Sequence, residues 1–139
     1  MRLFNARRGV VRAIDTNIVV RFLTADDPEQ AQAARLVIEG GDIFLGTTVL
    51  LESEWVLRSG YGFQAGEIAD GLAGLAGLPG ITVEQPAELS QAIDWMRQGA
   101  DFADALHLAR ATHCEAFVTF DRKLAKRAKQ LGAMPVEVP

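Results

Sequence analysis

The chain has one cysteine, one tyrosine and two tryptophans among 139 residues, and the first of these shortages closes off whole classes of protein. Cys114 cannot bridge within the chain and has no neighbouring thiol at metal-ligand spacing, so a disulfide scaffold and a cysteine-based zinc module are both excluded. A reducing, cytoplasmic compartment is the expectation, with Cys114 as a core thiol beside a coming strand. Long apolar runs are also missing. The longest uncharged stretch, around Gly71 to Thr82, is too short and too broken by glycines and Pro79 to cross a bilayer. Met1 to Arg12 carries four arginines without the apolar stretch of a signal peptide behind them. Positive charge is not in excess either: the net charge of −4 argues against indiscriminate nucleic-acid binding through a uniformly basic surface. No Gly-x-x-x-x-Gly-Lys-Ser/Thr loop occurs, which speaks against a P-loop nucleotide hydrolase.

What is present fits one globular domain. Hydrophobic residues make up 49% and charged residues 23% of the chain, and this length can bury a core without disulfides or a structural metal. Charge is unevenly placed, with five basic residues in the eight from Arg122 to Lys129.

Apolar patterning and punctuation predict alternating strands and helices. Val10 to Ile14 reads as a buried strand ending on Asp15-Thr16-Asn17, and a helix follows through Ile18 to Leu23. Asp26-Asp27-Pro28-Glu29 supplies a cap, a first-turn proline and a first-turn acid for a second helix to about Ile38. Ile43 to Leu45 is a strand, after which Thr47-Thr48 caps a helix to about Arg58. Gln64 to Leu78 is helical despite its glycines, and Ile81 to Val83 is extended. Helices from Pro86 to Gln98 and Phe102 to Thr112, a strand from Ala116 to Phe120, a basic helix from Arg122 to Leu131 and an edge strand from Pro135 to Val138 complete the order. Strands separated by helices imply an α/β fold with a parallel sheet and helices on both faces. Ligands of such sheets gather beyond the carboxyl ends of the strands, where Asp15 and Asp121 stand.

Several acids call for explanation. On a helical wheel Glu52 falls between Trp55 and Val56, an apolar side where a carboxylate is costly unless paired or holding a metal, whereas Glu54 is expected to be an exposed partner of Arg58. Asp101 reads as the cap of the helix from Phe102. Asp104 is either a first-turn acid or a site residue, and Asp15 and Asp121 have caps as their alternative. Four carboxylates brought together repel by about 4 kcal/mol per close pair at an effective dielectric near 20, and a divalent cation resolves that. An all-oxygen site selects Mg²⁺ or Mn²⁺ over zinc, and His107 and His113 are poorly placed as ligands. The common use of such a site is phosphoryl transfer.

The strings Ala13-Ile14-Asp15-Thr16-Asn17, Leu50-Leu51-Glu52-Ser53-Glu54-Trp55, Asp101-Phe102-Ala103-Asp104-Ala105-Leu106 and Val118-Thr119-Phe120-Asp121-Arg122-Lys123-Leu124 closely resemble, in order and spacing, the four acidic motifs of PIN domains, in particular VapC-like toxins. The resemblance covers about Val11 to Val138. It implies Asp15, Glu52, Asp104 and Asp121 as metal-site acids for Mg²⁺, with Mn²⁺ able to substitute, and Thr119 as a polar helper. Asp101 and Asn17 would stand behind the ligands. The basic run with Arg122, Lys123, Lys126 and Arg127 reads equally as a grip on flanking RNA phosphates and as a solvated helix face. The implied fold is a single domain over residues 10–139 with a five-stranded parallel sheet, and residues 1–9 then read as an N-terminal extension. The implied activity is endoribonuclease action on RNA such as tRNA or ribosomal RNA, with a metal-activated water attacking in line. Homodimers and a cognate antitoxin protein would be the partners. Rival readings are an RNA-processing nuclease without an antitoxin, an aspartyl-phosphate phosphatase and a non-catalytic adaptor. The phosphatase wants a second acid two residues after its nucleophile, where this chain has Asn17.

Overall fold

A computed structural model describes residues 11–139. The expected extension at Met1 to Gly9, and Val10 at the start of the expected first strand, lie outside the described residues. Two compact units divide the chain, the first ending at Glu84 and the second running from Gln85 to Pro139.

In the first unit three short strands, β1 (Arg12–Ala13), β2 (Ile43–Leu45) and β3 (Ile81–Val83), form a parallel sheet in the order β1-β2-β3. Arg12 is registered with Ile43, and Ile43 with Ile81. Ile43 and Leu45 are fully buried, as the central strand of a covered sheet requires. The segments entering β2 and β3 meet closely at Gly80, whose φ is +81° and where a Cβ would lie 2.8 Å from the Gly41 Cα, so only glycine fits. Helix α1 (Thr16–Thr24) is capped by Asp15 and buries Val19 and Val20. Helix α2 (Pro28–Glu39) starts on the Asp27 cap with proline at its first position, as its sequence punctuation predicts.

Helix α3 (Thr47–Trp55) departs from expectation at both ends. Gly46 is its N-cap and no side chain of the helix caps it; instead the Thr47 amide donates to the Glu84 Oε1 at 2.9 Å, a partner 37 residues away that local patterning does not reveal. At its other end the chain runs on as a π-helical turn, Val56–Gly60, with the Tyr61 amide donating to the Val56 carbonyl. Helix α4 (Ala65–Ala76) opens with a capping box between Gln64 and Glu67 and buries Ile68, Ala69, Leu72 and Leu75 along one stripe.

In the second unit α5 (Pro86–Arg97) buries Leu89, Ile93 and Met96, the stripe read from sequence. Helix α6 (Phe102–Arg110) buries Phe102, Ala105, Leu106, Leu108 and Ala109. Strands β4 (Phe117–Val118) and β5 (Val136–Glu137) pair in parallel as a separate two-stranded sheet, on either side of helix α7 (Arg122–Leu131). The α/β class and parallel pairing therefore stand, but the expected five-stranded sheet is corrected. Among the described residues the main sheet has three hydrogen-bonded strands and the other two pair only with each other. Several strands are just two residues long, too few to extend a ladder far. Cys114, expected in the core, is exposed, because it lies in the turn between α6 and β4 rather than on either. Among the described residues no helix is long and apolar enough to cross a membrane.

Candidate active site

In the first unit Asp15 sits one residue past Ile14, where the chain leaves β1 and enters α1. Its extended backbone makes it the N-cap, and its Oδ1 accepts the Ile18 amide at 3.1 Å. The capping reading of Asp15 is thus correct, and it leaves the exposed carboxylate with acceptor capacity to spare. The next residue, Thr16, donates its hydroxyl to the Glu52 Oε1 at 2.5 Å. This bond ties the candidate acid of α3 to the start of α1. Thr16 is the residue that sequence reasoning missed, although its place directly after Asp15 made it visible. A cleft of about 550 Å³ opens beside Asp15 and is lined by Asn17, Arg12, Arg21 and Gln30 together with apolar Ile14 and Ile18.

The two glutamates of α3 exchange the roles that the helical wheel assigned. Glu52 is exposed, and so is Trp55 at 58%, whereas Glu54 is only 4% exposed. The buried face of α3 carries Thr47, Leu50, Ser53 and Glu54, and Leu57 continues it in the π-helical turn. Trp55, apolar by type, marks the solvent side of the helix. Glu54 keeps its expected partner, accepting from the Arg58 Nε at 2.7 Å, but as a buried carboxylate rather than an exposed one. The burial argument for Glu52 therefore fails. Its accessibility and its bond to Thr16 are what commend it as a site residue.

In the second unit Asp101 caps α6, accepting the Asp104 amide at 3.0 Å. Asp121 caps α7 by accepting the Lys123 and Leu124 amides at 2.9 and 3.1 Å, and Thr119 turns its hydroxyl to accept the Asp121 amide at 3.0 Å. Thr119 therefore shapes the turn that presents Asp121. Asp104, Asp101 and Asp121 line one cleft of about 430 Å³ with Lys123, Lys126 and Arg127, while Arg122 is not part of its wall. Partial burial and the negative charges of Asp101 and Asp121 hold the Asp104 carboxyl above its ordinary pKa, against a smaller opposing pull from His107. His107 stacks on Phe117 with ring centroids 6.5 Å apart.

Taken unit by unit, the structure brings Asp15 to Glu52 through Thr16, and Asp104 to Asp101 and Asp121. In neither unit, among the described residues, do three or more His, Cys, Asp or Glu side chains gather closely enough to hold a metal ion by themselves. The donor chemistry nevertheless fits a hard cation, because every candidate is a carboxylate. The PIN-domain family model matches residues 12–130. No curated protein and no solved structure matches the chain.

Proposed function

Because the chain belongs to the PIN-domain family, whose members are in general nucleases, we propose that it is a Mg²⁺-dependent endoribonuclease and the toxin of a toxin–antitoxin pair. The single observation that supports the nuclease reading is that Asp101, Asp104 and Asp121 line one cleft together with Lys123, Lys126 and Arg127. Carboxylates for a cation beside cations for a phosphate are the two halves of a phosphodiester site.

Asp15, Glu52, Asp104 and Asp121 are the residues that would hold Mg²⁺, with Mn²⁺ able to replace it. A bound divalent ion supplies positive charge that offsets the phosphate and lowers the pKa of water. The chain's own groups then have defined tasks. Thr16 orients Glu52 by its hydroxyl, and Thr119 shapes the turn that aims Asp121. The products would be a 5′-phosphate and a 3′-hydroxyl. RNA such as tRNA or ribosomal RNA is the proposed substrate, the protein acts in the cytoplasm as a homodimer, and an antitoxin protein restrains it.

The test is cleavage of end-labelled RNA by purified protein. Cutting should need added Mg²⁺, stop in excess chelator, return with Mn²⁺ and leave 5′-phosphate ends. Full activity in chelator sinks the proposal. Growth arrest on expression, relieved by the product of a neighbouring small reading frame, separates the toxin from an RNA-processing nuclease that has no such partner.

A further inference from the structure

Helix α7 carries five basic residues, yet the structure treats them differently. Lys123, Lys126 and Arg127 line the cleft with Asp101, Asp104 and Asp121, whereas Arg122 and Lys129 do not. Arg127 is the half-buried one. Its guanidinium lies against the turn that ends α5, at Gly99, where φ is +106° and a Cβ would stand 3.3 Å from one guanidinium nitrogen and 3.5 Å from the central carbon. The missing side chain at Gly99 is what leaves room for it.

Among the described residues, the side chains of Lys123, Lys126 and Arg127 make no hydrogen bond or ion pair. That is unexpected beside three carboxylates. A cation partly withdrawn from water without a partner is unfavourable, and more so for a guanidinium held in place by packing, whose planar fork of donors matches a phosphate in two-point contact. The cleft therefore holds acidic and basic side chains together without an ion pair between them.

Resting on the nuclease reading above, we propose that Arg127, flanked by Lys123 and Lys126, grips a backbone phosphate of the RNA next to the bond that is cut, with Gly99 as the residue that makes the seat possible. Arg127 is thus a substrate-binding residue that sets the register of the strand against the carboxylates. Arg122 and Lys129, on the same helix but outside the cleft, supply only general positive charge.

The test measures binding of a short fluorescein-labelled RNA by anisotropy over a series of salt concentrations in excess chelator, so that no cleavage intervenes. Arg127→Gln should weaken binding about tenfold and lower the slope of log affinity against log salt by about one, the signature of one lost phosphate contact. Arg127→Lys should keep the slope and lose part of the affinity, because it retains charge without the fork. Lys129→Gln removes the same charge from the same helix and should leave both near wild type. Wild-type affinity and slope in Arg127→Gln, an equal loss in Lys129→Gln, or no RNA binding by the wild-type protein each overturns the proposal. Parallel cleavage assays in Mg²⁺ separate it from the nuclease reading. A wild type that cuts RNA while Arg127→Gln binds normally rejects the phosphate grip alone, and an Arg127-dependent slope without any cutting supports the grip and rejects the nuclease.

Discussion

Asp104 is a partly buried acid in the first turn of α6. By spacing alone it was balanced between a first-turn acid of α6 and a site residue. The structure bears out the first-turn reading, with Asp101 as the cap of the helix, and burial first, then the charges of Asp101 and Asp121, raise the Asp104 pKa. A carboxyl whose folded pKa exceeds its unfolded value of 3.8 opposes folding when ionised; the penalty is complete above the raised pKa and vanishes once the pH falls below the unfolded value. Asp104→Asn should therefore raise the melting temperature near pH 7 and give no gain at about pH 3. An equal gain at both pH values would show that the ionised Asp104 carboxylate is not the cause. Glu52 went the other way. Its wheel position beside Trp55 suggested burial, and the fold exposes both residues while burying Glu54, because side-chain type alone does not say which face of a short helix meets the core. The motif string pointed to Glu52 when the periodicity argument for it was mistaken.

At the scale of elements, helices were the more legible. Capping residues and period-3.6 stripes mark α2, α4 and α5 closely, since the physics that sets them is local. Strands were placed correctly but drawn too long, and their assembly into sheets was not legible, because pairing is a property of partners distant in sequence. The start of α3 shows the same limit. Thr47 and Thr48 are good capping residues by type, yet the carboxylate that meets the helix start comes from Glu84, at the end of β3. Glu84→Ala should cost about 1 kcal/mol, the usual loss for a removed N-cap, measured by urea unfolding. An unchanged unfolding midpoint would mean that water satisfies the Thr47 amide equally well. A second cross-link, absent from any local pattern, joins Tyr61 to α1 and the turn after it: its hydroxyl accepts from Arg21 at 3.0 Å and donates to Asp26 at 2.6 Å, and Arg21 pairs with the same carboxylate at 2.9 Å. The Tyr61 hydrogen bond, foremost, keeps the Asp26 carboxyl below its ordinary pKa.

For the whole molecule, membership of the PIN-domain family rests on residues 12–130 and agrees with four acidic strings that sequence reading had already set in order. Composition excluded disulfide scaffolds and membrane spans but had nothing to say about catalysis. The proposed function holds that Asp15, Glu52, Asp104 and Asp121 all serve the divalent ion that RNA cleavage would need. The most direct measurement is the single-turnover rate of RNA cleavage in Mg²⁺ by Asp15→Asn, Glu52→Gln, Asp104→Asn and Asp121→Asn, each checked for an intact fold by circular dichroism. The account predicts a loss on the order of 100-fold or more in every one of the four. A folded variant among them that cuts RNA at the wild-type rate would contradict it.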